Sequence, residues 1–282
     1  MDKSSAVLIT GCSSGIGAAT AAELAGHGFT VYATARKPET LQELAELGCR
    51  TMALDVTDEA SMAAAVAEVE RESGPIGALI NNAGYSQSGA VESIPLDEIR
   101  RQFETNVFGL IRMSQLVLPG MREAGRGRVV NIGSMGGRLT FPGGGIYHAT
   151  KYAVEAVSDA MRFEVQGFGV NVVLIEPGLI RTEFERAATA SMDAIDTDSP
   201  YAHFNSKLAD TMASVYNGPI GKALGGDSDA VAKVVRKALE ANRPRARYTV
   251  TASAKLGIAQ HAVTPDRVWD LAMRAQFPVP KP

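Results

Sequence analysis

Short runs of β-branched and apolar residues alternate with longer helical patterns along most of this chain. The runs lie at residues 7–10, 30–34, 51–54, 78–80, 128–132, 171–175 and 247–250. The helical patterns lie at residues 15–25, 59–72, 96–124 and 147–167. Strands that alternate with helices predict βαβ units and a parallel sheet covered on both faces. The sequence therefore predicts an α/β fold with a doubly wound sheet, in which ligands bind beyond the carboxyl ends of the strands.

Length and composition narrow the class of protein further. The 282 residues are 45% apolar and 21% charged, which suits one globular α/β domain over residues 1–282. The formal net charge of −3 argues against nucleic-acid binding. No stretch approaches the roughly 20 apolar residues of a membrane span, and two distant cysteines do not form a disulfide framework. We therefore expect a cytosolic protein with no membrane or nucleic-acid partner.

The regular alternation is interrupted at about residues 183–227, where aromatic and methionine side chains lie among small and polar residues. Long insertions in compact domains are usually lids or binding loops. We interpret this segment as one or two short helices over a substrate pocket, and a peripheral helical pair without a ligand role is the alternative. Residues 245–282 are interpreted as a C-terminal extension.

A glycine-rich turn joins the first predicted strand to the first predicted helix. Its sequence is Thr10-Gly-Cys-Ser-Ser-Gly-Ile-Gly17. Glycines allow backbone N–H groups to approach a pyrophosphate, and the positive end of the helix dipole favours the anion. Glycine also collects in turns for steric reasons alone, but the βαβ frame favours a dinucleotide site. The candidate contacts are Gly11, Ser13, Ser14, Gly15, Ile16 and Gly17.

The end of the second strand indicates which dinucleotide is bound. An NAD site would place an acid there for the ribose 2′-hydroxyl. This chain has Arg36 and Lys37 instead, which suit the 2′-phosphate of NADP(H), although such a pair is often only solvated. Asp55 and Val56 follow the third strand as candidate adenine contacts, and a turn or helix-capping aspartate is the other interpretation of Asp55.

Tyr147 and Lys151 are four residues apart on a predicted helix, which places both on one face. A tyrosine has an ordinary pKa of about 10, and a nearby ammonium lowers that pKa by favouring the phenolate. Tyr147 is therefore a candidate general acid and base. Ser134 follows the strand at residues 128–132, and its hydroxyl is placed to stabilise charge on a substrate oxygen.

Further polar and glycine residues follow other strands. Asn106 lies in the helix at residues 96–124 and is a candidate to hold a water that passes protons to Lys151. The remaining candidate cofactor contacts are Asn82, Ala83, Gly84, Pro177, Gly178 and Thr182. The four histidines have no metal-ligand spacing, so no metal is expected, and His148 is interpreted as structural. The glycines at residues 143–145 either leave room for a bulky substrate or form a flexible turn.

Taken together, these motifs resemble the short-chain dehydrogenase/reductase family, in the family's order, over most of residues 7–182. The resemblance implies a Rossmann-type sheet of seven parallel strands, and it implies that Lys151 also holds the nicotinamide ribose. It implies a catalytic tetrad of Asn106, Ser134, Tyr147 and Lys151. It also implies a homodimer or homotetramer paired through the helices at residues 96–124 and 147–167.

Within that family, the chain is similar to the branch with hydroxysteroid and retinol dehydrogenases and to bacterial ketoreductases, which implies a lipophilic carbonyl or alcohol substrate. We therefore expect NADP(H)-dependent reduction of a ketone or aldehyde. A non-catalytic NADP(H)-binding redox sensor and an NAD-dependent alcohol dehydrogenase are the alternatives. A sensor would not need Ser134, Tyr147 or Lys151.

Overall fold

A computed structural model describes residues 1–181 and 199–280. Seven strands within these residues form one sheet, in the order β3-β2-β1-β4-β5-β6-β7, and every neighbouring pair is parallel. They are β1 (Ala6–Ile9), β2 (Thr30–Ala35), β3 (Arg50–Ala53), β4 (Ala78–Asn81), β5 (Gly127–Ile132), β6 (Val170–Pro177) and β7 (Arg247–Val250). The predicted doubly wound sheet is confirmed.

The helices connect these strands and extend beyond the last one. They are α1 (Gly15–Gly26), α2 (Gln42–Glu46), α3 (Glu59–Ser73), α4 (Leu96–Phe103), α5 (Gly109–Glu123), α6 (Gly145–Val165), α7 (Ala202–Asn217), α8 (Pro219–Leu224), α9 (Ser228–Glu240), α10 (Ala252–Val263) and α11 (Asp266–Gln276). Within residues 1–181 and 199–280, none of the helices combines the length and the apolar character needed to cross a bilayer.

Alternate residues of the central strands supply two separate cores. Val7 and Ile9 of β1 face the layer that contains α1, α2 and α9. Ala6 and Leu8 face the layer that contains α3, α5 and α6. Because successive side chains of a strand point to opposite faces, a strand buried on both faces is a continuous apolar run, as β1 is.

The helix predicted at residues 96–124 is divided in the structure. Helix α4 passes through a π-helical turn, Glu104–Phe108, before α5 begins at Gly109. A π turn is rare and adds only one residue to the helix, so the sequence analysis did not predict it. The turn contains Asn106 and buries its side chain.

The segment at residues 183–227 is described from residue 199 onward, and residues 183–198 lie outside the described residues. Helices α7 and α8 supply the described part, so the prediction of short helices here is confirmed for that part. Phe204 and Leu208 of α7 form a small apolar cluster with Ala90, which follows β4. Helix α7 therefore packs over the carboxyl edge of the sheet, on the loop that leaves β4.

Candidate active site

The glycine-rich turn leaves β1 at the point where the sheet order reverses, since β1 pairs with β2 on one side and β4 on the other. Gly11 has φ +72° and Gly15 has φ +59°, a region that residues with a side chain rarely occupy. Ser14 precedes α1 without capping it through its side chain, and the first turn of α1 has no acidic residue. The exposed amino end of α1 is therefore suited to an anion.

Asn82 and Thr10 fasten this turn to the end of β4. The side-chain amide of Asn82 donates to the carbonyl oxygens of Thr10 (2.9 Å) and Gly11 (2.8 Å). The Thr10 hydroxyl accepts hydrogen bonds from the backbone N–H groups of Asn82 and Ala83, both at 3.0 Å. The residues predicted to contact the cofactor around Gly11 and Asn82 are thus one hydrogen-bonded unit, and Thr10 is a member that the sequence analysis did not single out.

Arg36 and Lys37 follow β2 at the same edge of the sheet, and both are exposed. Across residues 1–181 and 199–280, no carboxylate forms an ion pair with either cation. Asp55 Oδ1 accepts hydrogen bonds from the Thr57 backbone N–H (2.9 Å) and the Thr57 hydroxyl (2.8 Å). This is the turn geometry given as the alternative for Asp55, and Val56 beside it is buried against Gly109.

Ser134, Tyr147 and Lys151 are brought together between β5 and α6. The Tyr147 hydroxyl forms a hydrogen bond with the Ser134 side chain. Lys151 Nζ lies 5.8 Å from the centre of the Tyr147 ring and donates to the carbonyl oxygen of Ile132 (2.8 Å). Helix α6 begins at Gly145, two residues earlier than predicted, so Tyr147 lies in its first turn and Lys151 in its second.

Burial dominates the acid–base properties of these groups. It raises the pKa of Tyr147 well above its ordinary value, and the hydrogen bond with Ser134 opposes that shift. Burial lowers the pKa of Lys151 to about 8, against an opposing effect of the Glu155 carboxylate. The expected lowering of the Tyr147 pKa by Lys151 is therefore outweighed by burial in this structure, and Tyr147 holds its proton at neutral pH.

Asn106 is linked to Tyr147 through one intermediate side chain. Its Nδ2 donates to the Thr150 hydroxyl (3.1 Å), which in turn donates to the carbonyl oxygen of Tyr147 (2.7 Å). Asn106 also pairs with the backbone of Tyr85, accepting from its N–H (3.0 Å) and donating to its carbonyl oxygen (2.9 Å). A Cβ atom on Gly84 would lie 3.1 Å from Asn106 Oδ1, so the glycine leaves room for this pairing.

The end of β6 contributes Pro177 and Gly178 to the same edge of the sheet. Gly178 donates its backbone N–H to Val250 of β7 (3.2 Å), and a Cβ atom there would overlap the hydroxyls of Thr251 and Ser253. The close approach of the chain after β7 thus requires the glycine. Thr182 lies outside the described residues.

The glycines at residues 143–145 make room for protein side chains. A Cβ atom on Gly143 would overlap Leu208 of α7, one on Gly144 would lie 2.8 Å from the His148 ring, and one on Gly145 would lie 3.0 Å from Val91. Neighbouring side chains thus occupy part of the space over these glycines, and the two interpretations, room for a bulky substrate and a flexible turn, remain predictions.

His148 is buried and has a structural contact. Its Nδ1 accepts a hydrogen bond from the backbone N–H of Phe141 (3.1 Å), and burial lowers its pKa to about 4. The neutral imidazole thus fixes the loop before α6. Within the two described ranges, no group of His, Cys, Asp and Glu side chains is arranged to hold a metal ion.

An apolar cavity of about 460 Å³ lies between α7, α11 with the segment that follows it, and the loop before α6. It is lined mainly by Val91, Phe204, Met273, Phe277 and Val279, with Arg274 at one side. Ring contacts connect its wall to Tyr147. The Phe141 ring lies 6.0 Å from Phe277 and 5.9 Å from His148, whose ring lies 5.8 Å from Tyr147.

Two groups of buried polar residues near the site were missed by the sequence analysis. Asn81 donates to Asn131 Oδ1 (2.9 Å), and Asn131 donates to Ser158 (2.8 Å), which ties β4, β5 and α6 together. Glu155 of α6 and Glu176 of β6 form the second group. Glu176 ends an otherwise apolar run of buried residues in β6, and this break was the available signal. Glu155 had no such signal, because the buried face of α6 has several other polar residues.

Comparison with known families gives one clear match. Residues 5–193 match the family model described as short chain dehydrogenase. An NADPH-dependent 3-dehydrocapnine reductase of Ornithobacterium rhinotracheale is 34% identical over 93% of this chain and 94% of its own. The human 17-beta-hydroxysteroid dehydrogenase type 1 is 35% identical over 87% of this chain and 77% of its own.

Solved structures match along nearly the whole chain. A short-chain dehydrogenase from Streptomyces avermitilis is 33% identical, with a TM-score of 0.78 over 97% of both chains. A serine dehydrogenase complexed with NADP+ is 28% identical (TM-score 0.75, 87% of this chain and 94% of that one). An NAD+-bound xylitol dehydrogenase is 26% identical (TM-score 0.74, 89% and 98%). Both NADP+ and NAD+ thus occur in solved structures that are similar to this chain.

Proposed function

The chain belongs to the short-chain dehydrogenase family, and from that premise we propose that it reduces a lipophilic ketone or aldehyde with NADPH. The observation that carries the proposal is the joint placement of Ser134, Tyr147 and Lys151 at the carboxyl edge of the sheet. A binding module without chemistry would not need a half-buried, proton-bearing phenol beside a serine hydroxyl and an ammonium.

The residues around the glycine-rich turn fit a dinucleotide. Gly11 and Gly17 let the turn pack closely on the loop after β4, because a Cβ atom at either position would meet protein atoms within 3 Å. The uncapped amino end of α1 favours a pyrophosphate. Arg36 and Lys37 carry no ion pair among the described residues, so both are available to a 2′-phosphate. Lys151 would contact the nicotinamide ribose. When bound, the reduced dinucleotide supplies the hydride.

Tyr147 supplies the proton in the proposed reduction. Because burial raises its pKa, the phenol is protonated at neutral pH and donates to the carbonyl oxygen as that oxygen gains negative charge. The Ser134 hydroxyl would turn its one proton from Tyr147 to the carbonyl oxygen of the substrate and stabilise the charge that develops there. Lys151, with a pKa of about 8, is an ammonium at neutral pH and stabilises the phenolate that remains. Asn106 holds the backbone of α6 at Tyr147 through Thr150.

The apolar cavity supports a lipophilic substrate. Its lining is dominated by aromatic and aliphatic side chains, as in most sites for apolar ligands. The related 17-beta-hydroxysteroid dehydrogenase is named for a bulky apolar substrate. We expect kcat/KM to rise with the alkyl length of a ketone series, and Phe277→Ala to reduce that rise.

We also propose a homo-oligomer that pairs through α6. Tyr152 and Phe163 are 42% and 74% exposed, and a separation of eleven residues places them on one face of the helix. Ala156 and Ala160 are exposed between them, so an apolar stripe runs along α6. Monomeric proteins seldom leave such a stripe in water. Light scattering should give a dimer or tetramer, and Phe163→Glu should give a monomer.

The proposed reaction is tested by NADPH oxidation with a panel of ketones and aldehydes. Tyr147→Phe should reduce kcat by at least about 100-fold, the scale of general acid catalysis. Tyr248→Phe is the matched control, because it removes a phenol hydroxyl that contacts the backbone N–H of Arg245, outside the site and outside the exposed stripe of α6. Full turnover in Tyr147→Phe would refute the assigned proton donor. NADPH binding without turnover across the panel would favour a redox sensor, and preferential use of NAD with alcohols would favour the oxidative enzyme.

A further inference from the structure

Two carboxyl groups are buried next to the candidate active site, and each lacks a hydrogen-bond partner for one of its oxygens. Glu155 of α6 is 7% exposed and Glu176 of β6 is 2% exposed. One oxygen of each, Oε1 in both cases, is buried and accepts no hydrogen bond from the residues that the structure describes. A buried carboxylate with unsatisfied oxygens is costly, so such groups usually retain a proton.

The cations around this pair do not balance its charge. Arg247 of β7 lies 3.1 Å from Glu155 Oε2, but it also lies 2.6 Å from Asp159. Arg247 and the partly exposed Arg138 each lie 3.5 Å from Glu176 Oε1. The charged groups that face Glu155 are Lys151 and Asp159 on α6, Glu176 on β6, Arg247 on β7 and Arg138 after β5. Burial, followed by the Glu176 charge, raises the pKa of Glu155 to about 7.

Glu155 is also electrostatically linked to Lys151. The two residues are four apart on α6, and the Glu155 charge is the one that opposes the lowering of the Lys151 pKa by burial. Gly137 packs on both, since a Cβ atom there would lie 2.9 Å from Glu155 Cγ and from the Lys151 carbonyl oxygen. Glu155 therefore lies one helical turn from Lys151 in the same buried face of α6.

We propose that Glu155 is a positioning residue that keeps Lys151 in its ammonium form, and that it does so once the Glu155 carboxyl has lost its proton. This inference rests on the proposed function of Tyr147 and Lys151. Glu155 acts through Lys151 and does not itself contact the substrate. Loss of that proton places a negative charge near Lys151, so the ammonium persists to higher pH and continues to stabilise the Tyr147 phenolate.

The test is the pH profile of kcat/KM for NADPH-dependent reduction, in the full-length protein. Glu155→Gln imitates the protonated carboxyl, so it should match the wild-type enzyme below about pH 6 and lose activity at higher pH. Its alkaline limb should move to lower pH by about one unit, the effect of one nearby charge. Asp159→Asn is the matched control: it removes another carboxylate from Arg247, and its alkaline limb should not move. A loss in Glu155→Gln that is equal at every pH would overturn the proposal.

A second readout does not depend on turnover. In protein with ¹³Cε-labelled lysine, the Lys151 resonance can be assigned by its absence in Lys151→Met. Its titration midpoint should fall in Glu155→Gln and stay unchanged in Asp159→Asn. An unchanged Lys151 midpoint in Glu155→Gln refutes the inference, even if that variant is active. Full activity in Tyr147→Phe refutes the proposed function, even if the Lys151 midpoint moves in Glu155→Gln.

If Glu155→Gln does not fold, the same pH profile and Lys151 titration are measured in Glu176→Gln. It removes the like charge beside Glu155, which should then lose its proton at lower pH. The negative charge on Glu155, and with it the stabilisation of the Lys151 ammonium, should then appear about one pH unit lower than in the wild-type protein. A wild-type profile in this variant would contradict the proposal.

Discussion

The side-chain amide of Asn82 donates a hydrogen bond of 2.8 Å to the carbonyl oxygen of Gly11, which joins the loop after β4 to the glycine-rich turn. This pairing requires a glycine at position 17. A Cβ atom there would overlap the Gly11 carbonyl oxygen and lie 2.5 Å from Asn82 Nδ2. The obstacle is partly backbone, so the turn itself would have to move.

We therefore expect Gly17→Ala to weaken NADPH binding by at least about tenfold, since the loss of one well-placed hydrogen bond to a charged group costs about 1.5–3 kcal/mol. Gly26→Ala in the same helix is the control, because nothing lies within 4 Å of a Cβ atom at that position. Fluorescence titration with NADPH measures both. Equal affinity in the two variants would mean that the turn does not hold the dinucleotide.

Arg36 should determine the choice of dinucleotide. If its guanidinium binds the 2′-phosphate, Arg36→Asp loses that contact and gains an acceptor for a ribose hydroxyl. The kcat/KM ratio of NADPH to NADH should fall by about 10- to 100-fold, the equivalent of one charge-assisted hydrogen bond. Arg126→Asp makes the same change of charge just before β5, at the opposite edge of the sheet, and should leave the ratio unchanged. A wild-type kcat/KM ratio in Arg36→Asp would refute the assignment of Arg36 to the 2′-phosphate.

Packing of α7 on the loop before α6 should control access to the apolar cavity. A Cβ atom on Gly143 would overlap Leu208, and the φ of +76° at Gly143 adds backbone strain. We expect Gly143→Ala to raise KM for bulky ketones at least about fivefold, a loss on the scale of 1 kcal/mol, without changing the affinity for NADPH. Gly167→Ala, where a Cβ atom meets nothing within 4 Å, serves as the control.

The steric part of this effect can be isolated with Leu208→Ala. In the double variant with Gly143→Ala, the overlapping methyl group is absent, so part of the KM increase should be recovered. If the free-energy changes that correspond to the two KM effects simply add in the double variant, Gly143 acts through its backbone conformation and not through contact with α7.

The sheet was predictable because each central strand is buried on both faces. Such strands are continuous β-branched runs, as at Val7 and Ile9, and helices between them leave few alternatives to a parallel sheet. The relative positions of Tyr147 and Lys151 were predictable for a similar reason, since four residues are about one helical turn. Both depend on local spacing, which a single sequence contains.

Contacts between distant segments were not predictable from spacing. The π turn at Glu104–Phe108 changes the helix by one residue, yet it determines that Asn106 reaches Tyr85 and Thr150. The filling of the space over Gly143 by Leu208 depends on how α7 packs. The burial that raises the pKa of Tyr147 also comes from the tertiary structure, so the pair Tyr147–Lys151 taken alone predicted the opposite direction.

His148 should make the fold sensitive to acid. Burial lowers its pKa to about 4, while a histidine in the unfolded chain titrates near an ordinary pKa of about 6.5. Between these values the unfolded chain binds a proton that the folded chain excludes, so the free energy of unfolding falls as the pH falls from about 6.5 to about 4. The contribution of this one group is at most about 3.4 kcal/mol, from 1.36 kcal/mol for each pH unit.

His148→Asn isolates that contribution, because the asparagine Oδ1 lies near the position of Nδ1 and keeps an acceptor for the Phe141 N–H. Urea unfolding of both proteins at pH 7.5 and pH 4.5 gives the comparison. The wild-type protein should lose more stability on acidification than the variant, and the difference in stability between them should no longer depend on pH above about pH 7. Glu155 also titrates within this interval, but it does so in both proteins and cancels in the difference. Equal losses would show that the folded protein accommodates the imidazolium, and that the neutral ring is not what fixes the loop before α6.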